Sequence, residues 1–205
     1  MEASILEIIK KRKSIRRYLP DKVDRKIIDV IIDAGRLAPS SQNTQSWRYI
    51  VIDDDKLLIE FNDIAFSGLA KPNNWIRKAP CIILGCCDKR VFAKQSDDKL
   101  RKFISKIAPS KYNFLEMDVA ISMQNMVLQA TELGLGTCYV GWFNKNKVKK
   151  FFKLPKGVEP ILLTPIGYED NKSEMLKFEK NVKKFAKSAN RKEVEEITFY
   201  NKTIS

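Results

Sequence analysis

The sequence predicts an α+β fold, a sandwich of four strands among about six helices. Three observations carry this. Residues 47–52, 80–87, 136–143 and 160–167 are short runs rich in β-branched, aromatic or apolar residues. Between and around them lie segments whose apolar residues recur at helical spacing. No internal repeat or Pro/Gly-rich linker divides the 205 residues, a length suited to one domain.

The elements follow in order. Residues 4–12 carry Ile5, Leu6, Ile8 and Ile9 at helical spacing, with basic residues at the C-terminal end, where the helix dipole favours them. The pattern breaks at Leu19 and Pro20. Asp24 is placed to cap a second helix through Ile27, Ile28, Ile31, Ala34 and Leu37, which Pro39 stops. Residues 40–46 are polar and predicted without regular structure, and Trp47–Ile52 reads as a strand. A short helix is expected over 56–64. A loop is expected over 65–78, where Gly68, Pro72, Asn73 and Asn74 interrupt any period. Residues 80–87 form a buried strand and 97–107 an exposed helix. Residues 113–133, with Leu115, Val119, Met123, Met126, Val127 and Ala130, form a long buried helix closed by Gly134. A strand over 136–143, a short helix over 147–152 and a last strand over 160–167 complete the order. From Glu169 charged residues dominate until Val194, Ile197, Phe199 and Tyr200, which reads as a tail of 169–205 that either stays disordered or lies across another subunit.

Composition excludes several chemistries. There is no histidine, so Ser-His-Asp and Cys-His mechanisms and His-ligated zinc or haem are ruled out. Cys81, Cys86, Cys87 and Cys138 contain no C-x-x-C pair, which argues against zinc ribbons and Fe–S clusters. In apolar surroundings they read as small hydrophobes. No metal ligand set is expected. Residues 1–12 lack the features of a signal peptide, and no stretch approaches about 20 apolar residues. A cytoplasmic location without membrane attachment is therefore expected. The net charge of +13 is dispersed along the chain, unlike the focused basic face of a nucleic-acid binder, but it remains compatible with an anionic small ligand. Neither a G-x-G-x-x-G after a strand nor a P-loop is present.

Three segments carry chemistry. In residues 12–16, Arg12 and Arg16 offer guanidinium forks and Ser14 a hydroxyl, a set suited to a phosphate. Residues 39–47 are dense in side-chain donors and acceptors, which an ordinary turn also uses. In residues 134–142, Gly141 marks a bulge or a place where a ligand approaches the backbone. At these separations the three segments together resemble the FMN-dependent nitroreductase family. Residues 12–18 are similar to its N-terminal Arg-Arg-Ser-x-Arg-x-Tyr/Phe segment, and 39–47 to its Pro-Ser-Ser/Ala-x-Asn-x-Gln-Pro-Trp segment. Gly134 to Thr137 resembles its Gly-Leu-Gly-Thr stretch; residues 166–168 and 191–197 are similar to its last strand and C-terminal segment.

The resemblance implies a central, mainly antiparallel sheet flanked by helices, in an intertwined homodimer with FMN at the interface and exchanged tails. It implies that Arg12, Lys13, Ser14 and Arg16 meet the FMN phosphate and ribityl chain, with Arg191 also at the phosphate. Pro39, Ser40, Ser41 and Asn43 of the other subunit line the isoalloxazine, and Val140 and Gly141 approach its reactive edge. The implied activity is a ping-pong transfer of electrons from NAD(P)H to a nitroaromatic, quinone or similar acceptor, with no catalytic side chain of the protein. Reductive dehalogenation, enone reduction, flavin fragmentation, azoline oxidation and flavin storage are alternatives on the same fold. The chain departs from the family pattern at Lys13 (usually Arg), Ser46 (usually Pro) and Gly141 (acidic in better-known members). Residues 65–78 offer no match for the Asn and Lys that grip the ring's pyrimidine end in those members.

Overall fold

The computed structural model describes residues 4–91, 114–172, 180 and 191–201. It divides into two units, Met1–Asn171 and Lys172–Ser205.

The first unit opens with α1 (Ile5–Lys11), whose start is a capping box. The Ser4 side chain accepts from the Glu7 N–H, and the Glu7 carboxylate accepts from the Ser4 N–H. Asp24 caps α2 (Arg25–Arg36) by accepting from the Lys26 N–H at 2.8 Å. After β1 (Trp47–Ile52), Asp54 caps α3 (Asp55–Ala65). Then come β2 (Cys81–Asp88), the long α4 (Phe114–Glu132), β3 (Gly136–Thr137), α5 (Lys145–Phe151, capped by Asn144) and β4 (Val158–Gly167). The second unit carries α6 (Val194–Ile197).

The strands form a sheet ordered β1-β2-β4-β3, and every pair of named strands is antiparallel, as expected. β2 is buried along its whole length and alternates between two cores. Ile82, Leu84 and Cys86 pack with Leu58, Phe61, Ile76 and Val148 under α3 and α5. Cys81, Ile83 and Cys87 pack with Ile28, Ile31, Val119, Met123 and Met126 under α2 and α4. Each large side chain that is fully buried here contributes about 1.5–3 kcal/mol. The register of β2 on β4 slips between Gly85 and Cys86, which leaves Ile161 unpaired in a bulge next to Pro160, a position where a strand tolerates proline.

Three sequence expectations are corrected. Residues 65–78 are not a loop: Gly68–Lys78 winds through successive 3-10 turns that bury Ala70, Asn73 and Ile76. Short i→i+3 turns suit a segment that contains Pro72 better than a regular α-helix would. Residues 40–46 are not structureless, since Ser41–Asn43 forms a 3-10 turn. The strand expected over 136–143 pairs only at Gly136 and Thr137. Its next partner position on β4 is Pro165, which has no N–H to offer, and the same register reappears only at the Val140–Leu163 bridge. Smaller differences lie at ends: α3 is one residue longer at each end than expected, α5 starts two residues earlier, and β4 starts at Val158. The helix expected over 97–107 lies outside the described residues.

Candidate functional site

The chain leaves α1 at Arg12, whose N–H caps the helix by donating to the Ile8 carbonyl at 3.0 Å. It then runs extended beside β3: Ser14 bridges Thr137 in parallel, and the Ile15 N–H donates to the Thr137 carbonyl at 2.8 Å. The approach requires glycine at 136, because a Cβ there would lie 2.8 Å from the Ile15 side chain. In an extended segment alternate residues share a side. Lys13 and Ile15 line a cleft of about 150 Å³ with Gly134 and Glu169, and Lys13 pairs with Glu169 at 2.9 Å. Arg12, Ser14 and Arg16 take the other side. Arg16 lies over the Trp75 ring at 6.0 Å, and Tyr18 closes the segment by donating to the Ile15 carbonyl at 2.7 Å. Neither Arg12 nor Arg16 has an ion pair among the described residues. Burial pushes the Tyr139 phenol up, and the positive charge of Arg12 opposes that shift.

Gly134, at φ +77°, ends α4 in a Schellman arrangement: its N–H donates to the Thr131 carbonyl, and the Leu135 N–H donates to that of Ala130. This turn delivers β3 to the edge of β4. Beyond it, Val140 exchanges both backbone bonds with Leu163, at 2.9 and 3.0 Å, so its N–H is already taken. The exposed Gly141 has no N–H partner among the described residues, and a Cβ there would meet only Leu162 Cδ1, at 4.0 Å. The Asn73 amide donates to the Trp142 carbonyl at 2.8 Å and so fixes this stretch to the 3-10 segment. Leu69, Trp142 and Lys147 line an adjoining groove of about 310 Å³.

The loop over 39–46 stands elsewhere. Gln42, Asn43 and Gln45 all have φ near +50°, a left-handed conformation unusual outside glycine. Ser40 Oγ accepts from the Gln45 N–H at 3.0 Å, and Asn43 Oδ1 accepts from the Gln45 amide at 3.1 Å. Ser41 donates its N–H and Oγ–H to the Asp118 carboxylate at 3.1 and 3.4 Å. Pro39 and Asn43 are exposed; Ser40 and Ser41 are half-buried. At 1.5 Å per helical residue, Asp118 and Gly134 are about 24 Å apart along the axis of α4. Residues 12–16 and 136–141 therefore meet within one chain, and the loop does not join them. Arg191 is exposed, in the second unit, just before α6.

Sequence reading missed Asp118, Asn73 and Trp75. A signal for the first was present, since Asp118 and Ser122 set polar residues at i and i+4 on the helix face whose other positions, Val119, Met123, Met126 and Ala130, are apolar and buried. Nothing in residues 65–78 singled out Asn73 or Trp75.

The described residues contain no group of side chains that could hold a metal, and the cysteines are buried. Desolvation pushes the Cys81 and Cys86 thiols up to about 12 and Cys87 to about 11, so none is an activated nucleophile. Two guanidinium groups without carboxylate partners among the described residues, a hydroxyl between them in sequence and a backbone N–H at the exposed Gly141 fit a phosphate-bearing cofactor such as FMN.

An antiparallel sheet between helical layers is an architecture shared by many solved proteins. A nitroreductase family protein from Clostridium difficile 630 superimposes with a TM-score of 0.72 at 30% identity, over 98% of this chain and all of that one. The FMN reductase [NAD(P)H] of Bacillus subtilis (strain 168) is 30% identical over 82% of this chain and 67% of its own. The 4-nitrobenzoate reductase of Pseudomonas putida is 28% identical over 80% and 84%. The family model for the nitroreductase family matches residues 9–168. The chain belongs to the nitroreductase family, and so to the oxidoreductases. No described helix is long and apolar enough to cross a membrane.

Proposed function

We propose that the protein is an FMN-dependent enzyme that takes electrons from NAD(P)H and passes them to a nitroaromatic, quinone or similar acceptor, and that it works as a homodimer. The observation that carries this reading is the extended run of residues 12–16 along β3, where Ser14 bridges Thr137 and Lys13 pairs with Glu169; alternation along the run then favours Arg12, Ser14 and Arg16 sharing the side away from that pair. When bound, FMN supplies redox chemistry that no side chain of this histidine-free protein offers.

The protein's own groups bind and orient. Arg12 and Arg16 neutralise the phosphate with Ser14 as a third donor; Lys13, held by Glu169, contributes its backbone and its charge. Arg191 adds a cation at the phosphate. The Gly141 N–H donates toward the ring, beside the Val140–Leu163 bridge that keeps the backbone flat. The groove at Leu69 and Trp142 receives the acceptor. Pro39, Ser40, Ser41 and Asn43 complete the ring's surroundings from the partner copy, and their distance from residues 12–16 in one chain supports that arrangement. Ile5, Leu6 and Ile9 on α1, with Phe114, Met117 and Ile121 on α4, are exposed apolar side chains that a second copy would cover.

The test is direct. The purified protein should be yellow and should oxidise NADH or NADPH with menadione as acceptor. An Arg12→Ala, Arg16→Ala variant should keep its circular dichroism and lose the colour. A colourless wild-type protein that takes up no added FMN would overturn the proposal.

A further inference from the structure

We infer that Asp118 is a positioning residue for the cofactor: its buried carboxylate, by accepting both hydrogen bonds of Ser41, holds the loop over 39–46 in the left-handed shape that presents Ser40 and Asn43 to FMN. This rests on the reading that the loop borders the flavin. Asp118 is 4% exposed, and a buried carboxylate is unfavourable unless its oxygens are satisfied. Here no cation among the described residues pairs with it. Its partners are instead the Ser41 N–H at Oδ2 and the Ser41 hydroxyl at Oδ1.

The loop needs such an anchor. Three non-glycine residues in the left-handed region are each unfavourable on their own and persist only where the surroundings impose them. The bonds from Gln45 to Ser40 and Asn43, and from the Asn43 and Thr44 N–H groups to the Ser40 and Ser41 carbonyls, tie the loop to itself. Among the described residues, side-chain bonds tie it to α4 at two places, Ser46 to the Leu115 carbonyl and Ser41 to Asp118, while Arg48 of β1 donates to the Gln45 carbonyl at 3.0 Å. Two donors converging from one serine require two acceptors, or an amide that accepts the N–H and donates to the hydroxyl oxygen.

That chemistry sets the experiment. Holoenzyme is diluted serially and the released FMN is read from its fluorescence, with the visible circular dichroism of bound flavin as a second readout. Asp118→Ala should raise the dissociation constant by about tenfold or more and change the dichroism, as expected when hydrogen bonds to a charged group are lost. Asp118→Asn should stay near the wild type. Ser122→Ala, which removes a bond to the Gly35 carbonyl one turn along α4, should lower the melting temperature without loosening FMN. Wild-type retention in Asp118→Ala, or an Asn variant as weak as the Ala variant, would overturn the inference. So would equal FMN loss in Ser122→Ala. If Asp118→Ala does not fold, Asp118→Ser takes its place, and wild-type retention there overturns the inference equally. If the wild type binds FMN and loses it in the Arg12, Arg16 variant while Asp118→Ala keeps it, this inference alone fails. If the wild type binds no FMN, the underlying reading fails.

Discussion

Asp88, at the end of β2, is 4% exposed and accepts from Arg90 three times, from Nε at 2.7 Å, Nη2 at 2.8 Å and the backbone N–H at 3.1 Å. The Arg90 hydrogen bond holds its carboxyl below the ordinary value of 3.8, against the opposing effect of burial. A carboxylate depressed in the folded state adds stability above its unfolded pKa and loses it as pH falls through the folded one. The window is therefore below about pH 4. Asp88→Asn should lower the melting temperature at neutral pH by about 2–4 °C and flatten the loss of stability below about pH 4. An acid limb as steep as the wild type's would show that other carboxylates dominate. The cysteines behave in the opposite sense. Burial raises Cys81, Cys86 and Cys87 far above neutrality, so the thiolate that reacts is nearly absent at pH 8. A chromogenic disulfide should release no colour from native protein and should titrate all four thiols in denaturant. Rapid release from native protein would count against a tightly packed β2.

Helix α4 depends on its last turn. Gly134 sits at φ +77° with nothing within 4 Å of a built Cβ, so the cost of a side chain there is backbone strain alone. Gly134→Ala should cost about 1 kcal/mol and about 2–4 °C by calorimetry, with Gly134→Asn milder. An Ala variant as stable as the wild type would mean that the turn shifts without strain. Caps and periods of this kind made much of the fold legible. Ser4, Asp24 and Gly134 mark helix ends by chemistry that acts within four residues, and β2 announces itself as an unbroken apolar run. What failed to show depends on partners far along the chain. The ladder at 138–139 is broken opposite Pro165, a residue on another strand. Residues 68–78 contain the usual turn signals, yet they bury Ala70 and Ile76 against α3 and β2, a tertiary choice that outweighs local preference. The site divides in the same way. The donors at 12–16 and the stretch at 136–141 stand out by residue type, whereas Asp118 and Asn73 act only through Ser41 and the Trp142 carbonyl, contacts 77 and 69 residues apart in sequence.

For the molecule as a whole, the separation along α4 has a strict consequence. If the loop over 39–46 serves the cofactor held by residues 12–16 of the same chain, every site needs both segments intact in one protomer. If it serves a partner's cofactor, each site takes its two halves from different chains. A closed two-fold dimer then contains two such sites. Two variants distinguish these cases when they are co-expressed with different affinity tags and purified as the mixed dimer. One carries Arg12→Ala with Arg16→Ala; the other carries Ser40→Glu, which sets a negative charge on the half-buried loop. Each alone should bind little FMN. In the mixed dimer, sharing across the interface places both damaged halves in one site and both intact halves in the other. One FMN per dimer should then return, with about half the wild-type turnover per dimer if the sites act independently. With both segments acting in one chain, each site of the mixed dimer keeps one damaged half and no FMN returns. A colourless mixed dimer built from subunits that are individually folded would therefore place the loop beside its own chain's cofactor, and would require α4 or the loop to rearrange, since the two segments are anchored at opposite ends of α4, at Asp118 and beyond Gly134.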